Sequence, residues 1–193
     1  MEAKKTAVDY LDEGNRFLEE GNLEGAIAAY RLAIELNPGL CWSHHYLGES
    51  LTKLGQFEEA IASYRRAIEL NPDFSWSYHH LGDVLDRQQQ WEEAVVAFGR
   101  AIELNAEHFG SYCGLGQSLA KLGRFDEAIA AYQQASSLNP DLGWIQCLIG
   151  DVVQQRRNKD LQIAIGSYRR AIELNPQDLL AYRQLLEIQP DNW

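Results

Sequence analysis

Two histidines and two cysteines stand at 34-residue intervals: His45, His79, Cys113 and Cys147. Imidazole and thiolate are the natural ligands of zinc, so this column raises the question of a metal centre. Donors to one zinc ion sit about 2 Å from it, and hence within about 4 Å of each other. Residues that occupy matching places on successive helices are held roughly 8–10 Å apart by helix packing, too far for one four-unit site. Smaller sets remain, because His45 with Glu49 and His79 with Asp83 are each one helical turn apart, and His80 adjoins the second pair. Such pairs bind an ion weakly, and the expectation is that the chain carries no metal and no other cofactor.

Catalytic chemistry finds less support. There is no glycine-rich phosphate loop, and no Ser, His and Asp set stands out. Histidines beside carboxylates on an open surface lack the burial and the substrate pocket that a general base needs. No catalytic residue is assigned, and the chain is read as something other than an enzyme.

The elements that position these side chains follow from a repeat. Asn37-Pro38, Asn71-Pro72, Asn105-Ala106, Asn139-Pro140 and, after a two-residue slip, Asn175-Pro176 return every 34 residues or so. A fixed period of this length denotes an array of like units that bury their apolar faces against their neighbours. Units ending after each such pair run 7–40, 41–74, 75–108, 109–142 and 143–178, followed by a capping helix at 179–188. The eighth place of each unit is glycine (Gly14, Gly48, Gly82, Gly116, Gly150), and the twentieth is alanine (Ala26, Ala60, Ala94, Ala128 and Ala164). A mid-helix glycine costs about 1 kcal/mol, so its recurrence implies a close approach, read here as glycine meeting alanine across two helices. Apolar residues such as Tyr78, Leu81, Leu85, Trp91, Val95, Phe98 and Ala101 recur at three-and-four spacing, giving two helices per unit, about 42–54 and 57–70 in the second. Gly21, Gly55 and Gly123 suit the left-handed residue between the two helices. Gln89 and Arg157 stand at that place in the other units, where the turns are expected to be the least regular.

Composition narrows the function classes. The chain of 193 residues carries 17 basic and 28 acidic side chains, a formal charge of −11 that repels phosphate backbones and anionic lipid heads. Nucleic acid and membrane are therefore poor partners. Three unpaired-looking cysteines suggest free thiols in a reducing cytoplasm. No apolar run approaches the ~20 residues of a membrane span, and nothing at the N-terminus reads as an export signal.

The motif Tyr78, Leu81, Gly82, Leu85, Ala94, Phe98 resembles the tetratricopeptide repeat, W-x2-L-G-x2-Y, then A-x3-F, then P, with Ala106 in place of the proline. The second unit matches at Leu47, Gly48, Leu51, Ala60, Tyr64, Ala67 and Pro72, with His44 at the aromatic place. The fifth diverges most, with Gln146 at the aromatic place and Gln154–Gln162 stretching its inner turn. The resemblance spans about 7–188 and implies an all-α, right-handed superhelical solenoid of antiparallel helix pairs. The chain ends at Trp193, just past Gln189-Pro190, as a piece of a longer protein would.

The same resemblance implies that the first helices line a concave groove that holds a peptide or protein segment. The groove places of the second unit include Trp42, His45, Tyr46, Glu49 and Lys53, and those of the third Trp76, His79, His80, Asp83 and Arg87. The fourth contributes Gln117 and Lys121, and the fifth Trp144 and Asp151. Tryptophan at the second place of three units either stiffens the stack or offers a platform for a peptide; both can hold. The carboxylate clamp of some family members is absent, since its places hold His45, Glu49, His79, Asp83, Gly110 and Gly114. Glu49, Asp83, Asp86 and Asp151 instead favour a basic or mixed peptide. Two alternatives stand beside this scaffold reading. One is the recruiting part of a larger enzyme, such as a bacterial glycosyl-, sulfo- or methyltransferase. The other is self-association through apolar ends or aromatic grooves.

Overall fold

Each of the first four units folds back on itself because a glycine and a ring share one place. The computed structural model describes residues 5–174, 177 and 179–188, and all regular structure among them is helical. Asn175-Pro176, the first four residues and the segment from Gln189 to Trp193 lie outside the described residues. Four antiparallel pairs come first: α1 (Ala7–Glu19) with α2 (Leu23–Leu36), α3 (Cys41–Leu54) with α4 (Phe57–Leu70), α5 (Ser75–Arg87) with α6 (Trp91–Leu104), and α7 (Phe109–Lys121) with α8 (Phe125–Leu138). Then follow α9 (Gly143–Leu174) and α10 (Leu179–Ile188).

The partner of the repeat glycine corrects the sequence reading. A Cβ built on Gly48 would lie 2.9 Å from the Tyr64 ring, on Gly82 2.8 Å from Phe98, and on Gly116 2.8 Å from Tyr132. Gly14 stands in the same relation to Tyr30. The glycine therefore admits an aromatic ring from the second helix, rather than an alanine. Tyr30, Tyr64, Phe98 and Tyr132 are almost wholly buried, and Ala26, Ala60, Ala94 and Ala128 line the same seam at 0% exposure. Burying one such side chain contributes about 1.5–3 kcal/mol, enough to outweigh the cost of the glycine.

Between units the asparagine does the turning. Its side-chain oxygen accepts from the backbone N–H two residues on, at Gly39, Asp73 and Glu107, with distances of 3.1, 3.3 and 3.2 Å. The turn at Asn105 has this form without a proline, and all four turns, that at Asn139 included, share a backbone bond to the asparagine carbonyl from the N–H of Leu40, Phe74, His108 and Leu142. Within units, Gly21, Gly55 and Gly123 take φ of +77°, +80° and +73°. Gln89 takes +59° in the same turn, and the Gln90 N–H donates to Leu85 O at 2.9 Å as Gln56 N–H does to Leu51 O. Contrary to expectation, this turn is regular, the closing hydrogen bonds offsetting the ~1–2 kcal/mol of a left-handed side-chain-bearing residue.

At Arg157 no turn forms at all. The helix α9 runs unbroken for 32 residues through Gln154–Gln162, a stretch without glycine or proline and rich in good helix formers. Its middle is fastened to the start of α8, where Arg156 pairs with Asp126 at 2.5 Å and the Lys159 ammonium stands 5.4 Å over the Phe125 ring. As a result, among the described residues, nothing lies within 4 Å of a Cβ built on Gly150, unlike its four counterparts.

Candidate functional site

Successive first helices touch one another, α1 with α3, α3 with α5 and α5 with α7. The second helices are bridged instead by long side chains, with Arg31 pairing with Glu59 at 2.9 Å and Arg65 with Glu93 at 2.6 Å. A stack that is tighter along one set of helices bends toward that set, which puts α1, α3, α5 and α7 on the inside of the curve. The candidate groove lies there.

Tryptophan at the second place of a unit is both packed and open. Trp42 stacks on Tyr46 at a centroid distance of 5.8 Å, Tyr46 stacks on Tyr30 at 5.9 Å, and the Trp42 edge meets Phe74 at 4.4 Å. One unit later Trp76 stacks on His80 at 6.0 Å, His80 on Tyr64 at 5.9 Å, and the Trp76 edge meets His108 at 4.6 Å. Each ring row therefore ends on an internal ring that fills a repeat glycine. Trp42, Trp76 and Trp144 still keep 43, 46 and 48% of their surface exposed, so part of each side chain remains open to solvent. In the fourth unit Gly110 and Gly114 remove both rings of the row. Beside them a recess of about 250 Å³ opens between α5 and α7, bounded by Asp83, Asp86, Arg87, Phe98, Gly114 and Gln117.

The histidines correct the groove assignment. His45 is only 4% exposed, and its Nδ1 lies 2.9 Å from Ser77 Oγ on the next first helix, so it joins units and is closed to a ligand. His79 repeats the contact with Ser111 Oγ at 3.2 Å, and Ser111 also meets His108 Nδ1 at 2.7 Å. Sequence reasoning missed these serines, although the signal is present: Ser43, Ser77 and Ser111 form a column two places before the histidine column, offset by one unit. Ser43 faces the unit whose corresponding place is Leu11, and its buried hydroxyl has no partner among the described residues. Burial holds the imidazoles neutral, pushing His45 and His79 down to about 3, with the neighbouring His80 adding to the effect. His80 is lowered by burial as well.

The acidic character of the groove is softer than the composition suggests. Glu49 is held by Lys53 at 2.8 Å. Asp86 accepts from Gln117 Nε2 and Ser118 Oγ, both at 2.7 Å, and so ties α5 to α7. Burial pushes the Asp83 carboxyl up to about 6, against the opposing pull of Arg87. Asp83 lies 3.4 Å from His79 Nε2 and 3.9 Å from His80 Nδ1, and these three are the residues that can converge on a metal ion among those described. Gln117, Lys121 and Asp151 come together at a further recess of about 230 Å³ between α7 and α9. Trp144 is exposed at the start of α9, where the third place is the buried Ile145 in place of a serine. Cys113 is half-buried with its thiol pushed up to about 11, which removes it from thiolate chemistry near neutrality, and Cys147 is exposed. Across the stack an apolar cleft of about 440 Å³ lies between α4 and α6, spanned by the Arg65–Glu93 pair. Among the described residues no helix is long and apolar enough to cross a membrane.

A family model described as TPR repeat matches residues 14–54, 48–89 and 82–123, and a tetratricopeptide repeat model matches 111–142. No curated protein sequence matches. Among solved structures, a crystal structure of MamA is 23% identical with a TM-score of 0.74, over 95% of this chain and 92% of that one. MamA 41-end from Desulfovibrio magneticus RS-1 is 20% identical with a TM-score of 0.75, over 91% and 98% of the two chains. YrrB, described as a TPR protein with an unusual peptide-binding site, is 24% identical with a TM-score of 0.71, over 92% and 90%. Likeness at these identities establishes the fold, a helical repeat solenoid.

Proposed function

Because the chain belongs to the tetratricopeptide repeat family, whose members are generally interaction modules, we propose that it is a scaffold that holds an extended peptide along its first helices. The observation that carries this reading is the half-open indole of Trp42 and Trp76, each fixed from behind by a ring row and by the next unit. A fixed aromatic face lowers the ordering cost of binding and is the usual kind of interface anchor. The peptide would lay apolar or aromatic side chains on the two indoles and extend toward the recess beside Gly114. Asp83 there, and Asp151 at the next recess between α7 and α9, would favour a basic residue over an acidic one. The peptide-binding description of YrrB supports the same general reading. Peptides selected from a random library on the wild-type array test it. Their affinity should fall by at least tenfold, about 1.4 kcal/mol, in Trp42→Ala/Trp76→Ala. Undiminished binding by a folded double variant would refute it.

Self-association is a second reading, favoured by the empty place at Gly150. The ring column of the fifth unit is Tyr168, 18 residues and ~27 Å further along the unbroken helix α9 than Gly150. A second copy running antiparallel would supply that ring and receive one in return. Light scattering over a concentration series should then show mass above one chain, lost in Tyr168→Ala. A mass that stays at one chain would sink this reading.

A further inference from the structure

We propose that His79, His80 and Asp83 form a binding site for one divalent first-row transition-metal ion, zinc as the reference case, on the groove side of α5. Two imidazoles and a carboxylate are a ligand set suited to such ions. The three donor atoms all lie within 4.8 Å of one another. Ligands of a tetrahedral zinc at ordinary bond lengths are about 3.3 Å apart. His79 Nε2 and Asp83 Oδ2 stand at 3.4 Å, His80 Nδ1 and Asp83 Oδ2 at 3.9 Å, and the two imidazole donors within 4.8 Å, a set that side-chain rotation must close around the ion.

The repeat supplies its own controls. The first four units share the same helix-pair backbone, but the corresponding three places hold His45, Tyr46 and Glu49 in the second and Cys113, Gly114 and Gln117 in the fourth. In the second unit Tyr46 takes the place of the second imidazole, and Glu49 is held by Lys53. Only the third unit therefore sets two imidazoles against a carboxylate that is left to them. A second feature prepares the site. Ser111 Oγ meets His79 Nδ1 at 3.2 Å, and the same hydroxyl can donate to His108 Nδ1 at 2.7 Å. If it donates there, it accepts the Nδ1 proton of His79, which places the free lone pair of that ring on Nε2, the atom facing Asp83. Outer-shell bonds of this kind fix the tautomer of ligating histidines. The side chains are 13, 31 and 40% exposed, and Asp83 borders the 250 Å³ recess, so ions have a path in and a coordination position remains open toward the groove. The competing account is a plain hydrogen-bonded cluster, in which both imidazoles donate to Asp83 and no ion is held.

The test uses the full chain, without an affinity tag, freed of metal by a chelator and titrated with Co²⁺ alone. The expected result is one equivalent bound with visible absorption of four-coordinate intensity, displaced by Zn²⁺. His80→Gln and Asp83→Asn should each weaken binding by more than about tenfold, and Ser111→Ala by roughly tenfold through the lost outer-shell bond. Glu24→Gln, remote on α2, should leave it unchanged. Helical circular dichroism of each variant confirms the fold. No Co²⁺ binding by the wild type up to millimolar concentration overturns the proposal. So does binding that His80→Gln and Asp83→Asn leave intact, which would mark adventitious sites elsewhere.

Discussion

Two serines at the same place in adjacent units should respond oppositely to truncation. Ser43 and Ser77 are each the third residue of a first helix, and each is 0% exposed. The Ser77 hydroxyl meets Nδ1 of the buried His45 at 2.9 Å, whereas that of Ser43 has no partner. Ser77→Ala leaves an imidazole nitrogen unpaired in a dry seam, a loss of about 1–3 kcal/mol. Ser43→Ala removes a hydroxyl that is desolvated for nothing, and is worth from zero to about 1 kcal/mol in the stabilising direction. The gain in helix propensity is common to both and cancels in their difference. With an m value of about 1–3 kcal/mol/M, urea midpoints should separate by something on the order of 1 M, with Ser43→Ala the more stable. Far-ultraviolet circular dichroism follows the melts, and amide exchange in α3 and α5 locates the change. If Ser43→Ala proved as destabilising as Ser77→Ala, the histidine–serine ladder would not be what joins these units.

The repeat glycines give a similar contrast. Gly82→Leu drives a side chain into the Phe98 ring and should cost more than the ~1–3 kcal/mol of ordinary overpacking, melting more than its own unit, while Gly150→Leu should be neutral or stabilising. Comparable losses in thermal melting at both sites would mean that the fifth unit closes as the others do. Acid should destabilise the array. The unfolded histidines titrate near 6.5 while folded His45 and His79 stay neutral down to about 3, so between those limits the unfolded state binds more protons. Each contributes a loss of ~1.4 kcal/mol per pH unit as pH falls below 6.5. Asp83, raised to about 6, acts in the opposite sense between its unfolded value near 3.8 and 6, and so blunts the slope without reversing it. Urea melts from pH 7 to 5 should show this fall, and His45→Phe should flatten it; an unchanged slope in that variant would exclude His45 as its source.

Periodicity made the helices legible, because Asn-Pro turns, a glycine column and a ring column each recur in register. What stood opposite the glycine was not legible, since a column shows that space is shared but not with which neighbour. The groove assignment failed at His45 for a related reason. Its place lies on the boundary between successive first helices, and whether it is open depends on Ser77 in the following unit. The unbroken α9 was hidden because a missing turn glycine reads as an irregular turn. Gln89 kept its turn through the same closing bonds, whereas 154–162 had helix-forming residues throughout and an anchor on α8. The two indoles at Trp42 and Trp76 were recognisable from the sequence, but their rigidity depends on Tyr30, Tyr64, Phe74 and His108, contacts that cross unit boundaries.

The groove claim is tested most directly by the indole N–H resonances of the chain, which report five tryptophans separately. A peptide selected on the array should shift the signals of Trp42 and Trp76 and leave that of Trp91, at the start of a second helix, in place. Shifts confined to Trp91 and to amides bordering the cleft between α4 and α6, with Trp42 and Trp76 unmoved, would place binding on the outer face and contradict the account.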